Sequence, residues 1–74
     1  MSNQYSKNLL AFTKTIKELR LAENATQKEI ALKLGITAES YRAYEAGIAL
    51  PTLQNFIKLC EIFDVTPNDL LDIR

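Results

Sequence analysis

Apolar residues recur along this chain at spacings of three and four, the period of an α-helix. The first such series has lysines between its members, so one face can pack against a core while the lysines stay in water. Its members are Leu9, Phe12, Ile16 and Leu19. We therefore expect a first helix that follows a cap at Ser6 and ends near residues 22–24.

A second helix is predicted from its end signals. Thr26 is followed three residues later by Glu29, the spacing of a capping box in which each side chain binds a backbone N–H of the other residue. Gly35 supplies a residue that adopts the left-handed conformation readily, so the helix ends there after about two turns. The expected inner face is Ile30, Ala31 and Leu34.

A third helix from about Ala38 to Ala46 has a cap at Thr37 and ends at Gly47. The joint between the second and third helices is then residues 35–37, and a short joint that contains glycine is typical of a helix-turn-helix. Residues 27–47 are therefore predicted to form this motif, with its second helix as the recognition helix. Tyr41 and Tyr44 are expected to face inward.

Two more helices complete the prediction. Thr52 caps a fourth, and Thr66 caps a fifth that has Pro67 at its first position. The expected inner face of the fourth helix is Leu53, Phe56, Ile57, Cys60 and Phe63. Strand signals are almost absent. We expect an all-α fold of five helices in one domain over residues 1–74, with residues 1–5 as a frayed tail.

Composition argues against several classes of function. No window approaches 18 uninterrupted apolar residues and the start is polar, so we expect a soluble, cytoplasmic protein without a leader. Cys60 is the single cysteine and there is no histidine, which leaves neither a disulfide, a plausible zinc site nor a common general base. We expect no enzyme activity, no cofactor and no metal, and Cys60 to fill the core.

Charge is the main argument against a nucleic-acid partner. Nine basic and nine acidic residues cancel, whereas phosphate binding favours a basic protein. The balance is uneven, because residues 1–25 carry four basic and two acidic residues while residues 48–74 carry two and four. The C-terminal part is therefore expected to face away from DNA.

Six segments in matching order and spacing resemble the phage-repressor and Cro type of helix-turn-helix domain, the lambda-repressor-like family. They are residues 16–20, 26–31, 34–37, 44–47, 51–53 and 63–71. The match extends over about three quarters of the chain. The resemblance implies a compact five-helix DNA-binding domain of a sequence-specific transcriptional regulator, with repression favoured over activation.

The resemblance also implies roles for particular residues. An arginine near the end of the first helix typically pairs with the glutamate before the turn glycine, and Arg20 and Glu45 stand at those places. Gln27 begins the second helix, where this fold brings a helix N-terminus against a phosphate. The alternative for Gln27 is a solvated helix start.

Base reading is expected from the exposed strip of the recognition helix, on the side opposite its tyrosines. Arg42 can bond guanine O6 and N7, although a phosphate contact or a surface ion pair with Glu39 is also open. Glu39 could accept from cytosine N4 or exclude wrong sequences by repulsion. Ala38 and Ala43 can offer only a methyl group to a thymine methyl.

Phosphate contacts are assigned to polar residues at helix starts: Gln27, Lys28, Thr37, Ser40 and Thr52. Each has a simpler alternative. For the hydroxyl residues the alternative is that they cap helices without contacting phosphate. For Lys28 it is that the side chain is solvated, as most surface lysines are.

The loop after Gly47 departs from the family pattern, because Ile48, Ala49 and Leu50 stand where many relatives carry Lys or Arg. The first hypothesis is a symmetric homodimer on a palindromic operator, with guessed contacts at Leu50, Leu71 and Ile73. The second is a protein-interaction module of the same fold, antirepressor-like or antitoxin-like, with little DNA binding. A regulatory protein partner is open under both, and neither a membrane nor a small-molecule ligand is expected.

Overall fold

A computed structural model describes the backbone of residues 4–73 and the side chains of residues 7–73. Five α-helices and no strand occur within that part of the chain, which confirms the all-α fold class. The helices are α1 (Gln4–Ala22), α2 (Gln27–Leu34), α3 (Ala38–Ala46), α4 (Leu53–Phe63) and α5 (Pro67–Leu71).

Threonine side chains cap four of these helices, as predicted. In each case an extended residue accepts a hydrogen bond from the backbone N–H three residues later, which satisfies a donor that the helix itself leaves free. The capping residues are Thr26, Thr37, Thr52 and Thr66. Thr26 forms the complete capping box, since its own N–H donates to Glu29 Oε1 at 2.7 Å. Hydrogen bonds between residues three apart therefore fix where these four helices begin.

The predicted start of the first helix is wrong. Helix α1 begins at Gln4, which places Ser6 inside the helix instead of at its cap. Of the tail expected at residues 1–5, residues 1–3 lie outside the described residues, while Gln4 and Tyr5 belong to α1. A serine is compatible with a helix interior, so it marks a helix start less firmly than a capping box does.

Helices α2 and α3 both end at a left-handed glycine. Gly35 has φ +76° and Gly47 has φ +75°. A Cβ at Gly35 would meet no atom within 4 Å, and one at Gly47 would lie 3.7 Å from Thr13 Cγ2, an ordinary contact. The requirement for glycine is therefore conformational, because space is available at both sites.

The core joins all five helices. α2 and α3 pack against each other, α1 contacts α3 and α5, and α4 contacts α2 and α5. The buried apolar residues are Phe12, Ile16, Ile30, Ala31, Leu34, Tyr41, Tyr44, Leu59, Cys60, Phe63 and Leu70. This packing holds the two short helices of the motif, which would not be stable alone.

Three residues predicted to face inward are exposed: Leu9, Leu53 and Ile57. Leu59, which was not assigned to the inner face, is fully buried instead. Apolar residues occupy so much of α4 that the sequence defines no single narrow stripe, and contacts with α2 and α5 select the buried side. Two of the exposed residues, Leu9 and Leu53, contribute to an apolar surface.

Candidate nucleic-acid interface

Helix α3 presents one polar and small-residue strip to solvent. Ala38, Glu39 and Arg42 are exposed and Ala43 is half-buried. On the opposite side Tyr41 and Tyr44 are buried, their ring centroids 6.2 Å apart in a T-shaped arrangement. Anchoring by two aromatic rings fixes which side of α3 meets solvent.

Arg42 and Glu39 lie within reach of each other on this strip. Their closest charged atoms, Nη2 and Oε2, are 3.9 Å apart, and their side chains are 58% and 86% exposed. An ion pair this long and this exposed contributes little free energy. Arg42 can therefore leave Glu39 for another acceptor at small cost.

A buried polar contact at the motif joins Arg20 of α1 to Glu45 of α3. Arg20 Nε donates to Glu45 Oε2 at 2.7 Å, and Nη2 donates to Oε1 at 3.0 Å. A third donor, Nη1, reaches the carbonyl oxygen of Ala25 at 2.9 Å. The two side chains are 10% and 4% exposed. This pair links the first helix, the turn before α2 and the last turn of α3.

The network changes the acidity of its members. Burial alone would raise the pKa of Glu45, but the Arg20 guanidinium, the nearby Tyr41 hydroxyl group and the Gln27 amide together bring it below its ordinary value. Burial, and then the nearby Glu45 carboxylate, raise the pKa of the Tyr41 phenol well above its usual range. Its hydroxyl group is buried and has no hydrogen-bond partner among the described residues. Glu45 is thus ionised and Tyr41 neutral near pH 7.

Gln27, the first residue of α2, belongs to the same network. Its Nε2 donates to Glu45 Oε1 at 3.0 Å. The amide has two N–H groups, and the second has no partner among the described residues. The sequence carried no local signal for this bond, because its partners are 18 residues apart and meet only through packing.

The hydroxyl groups at the start of α3 have distinct functions. Thr37 Oγ1 accepts from the Ser40 N–H at 3.0 Å and donates its own proton to Ser40 Oγ at 2.9 Å. Thr37 is therefore fully engaged in capping, whereas the hydroxyl proton of Ser40 has no partner among the described residues. Of the two, Ser40 is the one available as a donor.

The starts of α2 and α4 both contact the C-terminal half of α3. Gln27 reaches Glu45, and Asn55 Nδ2 donates to the Tyr44 hydroxyl oxygen at 3.3 Å. The N-terminal turns of two helices therefore contact α3 through Glu45 and Tyr44, and each turn has free backbone N–H groups. Thr52 and Lys28 are exposed near these starts.

An apolar groove adjoins the end of α3. It is lined by Leu9, Phe12, Leu50, Pro51, Leu53, Phe56 and Leu71, and it continues toward Leu10 and Ile48. We call these nine residues the apolar surface. Of the three guessed dimer contacts, Leu50 and Leu71 lie here, but Ile73 borders a separate hollow with Asn68, Asp69 and Asp72.

Other chemistry has little support in the described part of the chain. No cluster of three or more His, Cys, Asp or Glu side chains that could hold a metal ion occurs between residues 4 and 73. None of the helices described is both long and apolar enough to cross a membrane. Burial raises the pKa of the Cys60 thiol, which keeps it protonated within the core.

Two short helices joined by a left-handed glycine turn, with one side of the second helix anchored in the core and the other side exposed, define a helix-turn-helix protein. Residues 16–70 match the helix-turn-helix family, and the chain belongs to it. This membership confirms the resemblance to the phage-repressor and Cro type and the expectation that the chain is not an enzyme.

Among curated proteins, the chain is similar to transcriptional regulators. It is 37% identical over 51 residues to the cryptic phage CTXphi transcriptional repressor RstR of Vibrio cholerae, a match that covers 69% of this chain and 46% of the repressor. It is 38% identical over 60 residues to the uncharacterized HTH-type transcriptional regulator YqaE of Bacillus subtilis, covering 81% and 52%. The HTH-type transcriptional regulator AnsR of the same species is 37% identical over 54 residues, covering 73% and 47%.

The chain spans about half the length of these curated relatives. No solved structure shows significant similarity to it.

Proposed function

We propose that this chain is a sequence-specific DNA-binding transcriptional regulator that places α3 in the major groove of its operator. The observation that carries the proposal is the exposed strip of α3, on a helix that the Arg20–Glu45 pair fixes against α1. A similar protein in a Vibrio cholerae phage is named a repressor, which favours repression here.

Arg42 is the proposed reader of a base. Its exposed guanidinium and weak contact with Glu39 leave it free to bond guanine O6 and N7 together. Glu39 is proposed to accept from a cytosine N4 or to repel other sequences, while Ala38 and Ala43 contact thymine methyl groups. Only one side chain of this strip is a hydrogen-bond donor, so base readout is sparse.

Phosphate contacts are proposed to compensate for the sparse readout. Gln27 and Ser40 each retain a donor without a partner, and Thr52 uses its oxygen as a cap while keeping its hydroxyl proton. Lys28 adds a charge near the start of α2. Thr37, whose hydroxyl group lies 2.9 Å from Ser40 Oγ, is proposed to contact a phosphate in addition to capping α3.

A second copy of the chain is the proposed partner at the apolar surface. Ile48 and Leu50 lie just after the end of α3, which supports a two-fold axis at this surface with one recognition helix on each side of it. Such a dimer reads two half-sites of a palindrome about 34 Å apart. A domain this small also has a limited core, and covering these exposed leucines would add to its stability.

Binding to the DNA that flanks its own coding region, measured at two salt concentrations, tests the proposal. We expect a specific complex that weakens steeply as salt rises, because phosphate contacts release counterions. A folded protein that shows no binding, or binding insensitive to salt, would contradict the DNA-binding function.

One observation favours a second candidate, a protein-interaction module. The net charge is zero, and the loop after α3 exposes aliphatic side chains where a basic anchor would be useful. In that case the apolar surface binds another regulator and the chain does not bind the flanking DNA. The same salt-dependent measurement separates the two candidates.

A further inference from the structure

The contact between Gln27 and Glu45 gives the Arg20–Glu45 ion pair a second consequence. Glu45 Oε1 accepts two hydrogen bonds of 3.0 Å, one from Arg20 Nη2 and one from Gln27 Nε2. Its Oε2 is occupied by Arg20 Nε at 2.7 Å. One carboxylate thus holds both the arginine of α1 and the first side chain of α2.

An ionised carboxylate can only accept hydrogen bonds. The Gln27 amide must therefore turn its NH₂ group toward Glu45, since its carbonyl oxygen would meet two acceptor atoms and repulsion. Because the amide is planar, fixing one N–H also fixes the direction of the other. Its second N–H remains unpartnered among the described residues, on a half-buried side chain at the helix start.

Glu45 performs this orientation without presenting free negative charge. Its carboxylate receives a bidentate guanidinium, and its side chain is only 4% exposed. A phosphate near Gln27 therefore meets an oriented N–H and the backbone donors of α2, with the repulsion from Glu45 offset by Arg20.

We infer that Glu45 is a positioning residue for DNA binding, which sets the Gln27 amide so that its second N–H donates to a backbone phosphate. The inference rests on the proposed DNA-binding function. The Arg20–Glu45 pair then contributes to the affinity for DNA as well as to the stability of the fold. Without Glu45, Gln27 loses its fixed rotamer, and ordering a free glutamine on binding opposes association.

Side-chain amide signals in the natural chain test this directly. A ¹⁵N-labelled protein is titrated at low salt with a random-sequence duplex of about 20 base pairs, since phosphate contacts do not depend on sequence. We expect one Gln27 NH₂ proton, the one bonded to Glu45, to move little while the other shifts with added duplex. Equal shifts of both protons would overturn the inference, as would no shift while backbone amides of α3 respond.

A thermodynamic cycle provides the second measurement. Arg20→Met with Glu45→Leu removes the anchor without changing net charge, and a thermal melt checks that the variant folds. We expect Gln27→Ala to weaken duplex binding about tenfold in the natural chain but less than twofold in this background. Asn68→Ala, at an exposed amide of α5 outside the network, should change binding little in either background.

The outcomes also separate this inference from the proposed function. If Gln27→Ala weakens binding equally in both backgrounds, Gln27 binds phosphate without help from Glu45, and the inference fails while DNA binding stands. If the duplex shifts no amide of α2 or α3, both fail. Should the double variant not fold, the titration of the natural chain decides alone.

Discussion

Arg20 and Glu45 form a bidentate ion pair that closes the space between α1 and the last turn of α3. Both side chains are almost fully removed from water, at 10% and 4% exposure. A buried charge is tolerated when its partner is present, and it becomes costly when that partner is removed.

Removing either partner alone is expected to destabilise the fold more than removing both. Arg20→Met or Glu45→Leu should each lower the free energy of unfolding by about 3 kcal/mol, because the remaining charge stays buried without compensation. The double variant should recover much of that loss. Urea denaturation measures all three, and Arg42→Met provides a control in the exposed pair, with an expected change of about 0.5 kcal/mol or less. Additive losses in the double variant would contradict this account.

The same pair makes stability depend on acid pH. The pKa of Glu45 is lower in the folded chain than its ordinary value of 4.5, so folding favours the ionised form. Its contribution is therefore complete above about pH 4.5 and is lost as pH falls through the lowered pKa. Asp69, whose pKa is lowered by the hydrogen bond from the Thr66 N–H, adds a similar dependence of its own.

Urea midpoints of the natural chain and of Arg20→Met/Glu45→Leu, measured from neutral pH down to about pH 2.5, isolate the Glu45 part. Asp69 is common to both chains, so its effect cancels in the difference. We expect the stability difference between the two to be constant near neutral pH and to shift against the natural chain in acid. Parallel curves would show that Glu45 titrates alike in the folded and unfolded states.

Sequence predicted the contacts between residues that are close together along the chain better than the contacts between residues that are far apart. Caps at Thr26 and Thr37 and the turn glycines were predicted correctly because their partners lie within a few residues. The Arg20–Glu45 contact was expected from a family resemblance, whereas its third member, Gln27, was expected either at a phosphate or in solvent. Leu53 is 75% exposed, although its position in the sequence pattern predicted burial. Packing between helices decides which side of α4 is buried, and the local sequence pattern does not determine that packing.

Sequence preference is expected to depend on Arg42. Arg42→Ala should remove discrimination at one base pair of each half-site, at a cost of about 1 to 3 kcal/mol for the preferred sequence. Binding to a set of operators with single base-pair changes measures this. Arg42→Lys keeps the charge but not the two parallel donors, so it should retain non-specific affinity and still lose the preference. Equal losses on every sequence would identify Arg42 as a phosphate contact.

The hydroxyl groups of Thr37 and Ser40 should separate stability from DNA affinity. Thr37→Ala removes the cap of α3 and should cost about 1 kcal/mol of folding free energy. Ser40→Ala leaves the cap in place, because Thr37 Oγ1 still accepts the backbone N–H of residue 40. It should therefore weaken DNA binding with little change in the urea midpoint. If Ser40→Ala leaves binding unchanged, its hydroxyl group makes no phosphate contact.

Self-association should depend on the apolar surface. Leu50→Glu places a carboxylate in the groove between Leu9 and Leu71, and we expect it to convert a dimer to a monomer in sedimentation equilibrium. Leu32→Glu is the matched control, since Leu32 is an exposed leucine of α2 that lines no part of this surface. A monomeric natural chain, or equal effects of the two substitutions, would contradict dimer formation here. Because a dimer binds two half-sites at once, Leu50→Glu should also weaken operator binding far more than binding to a single half-site.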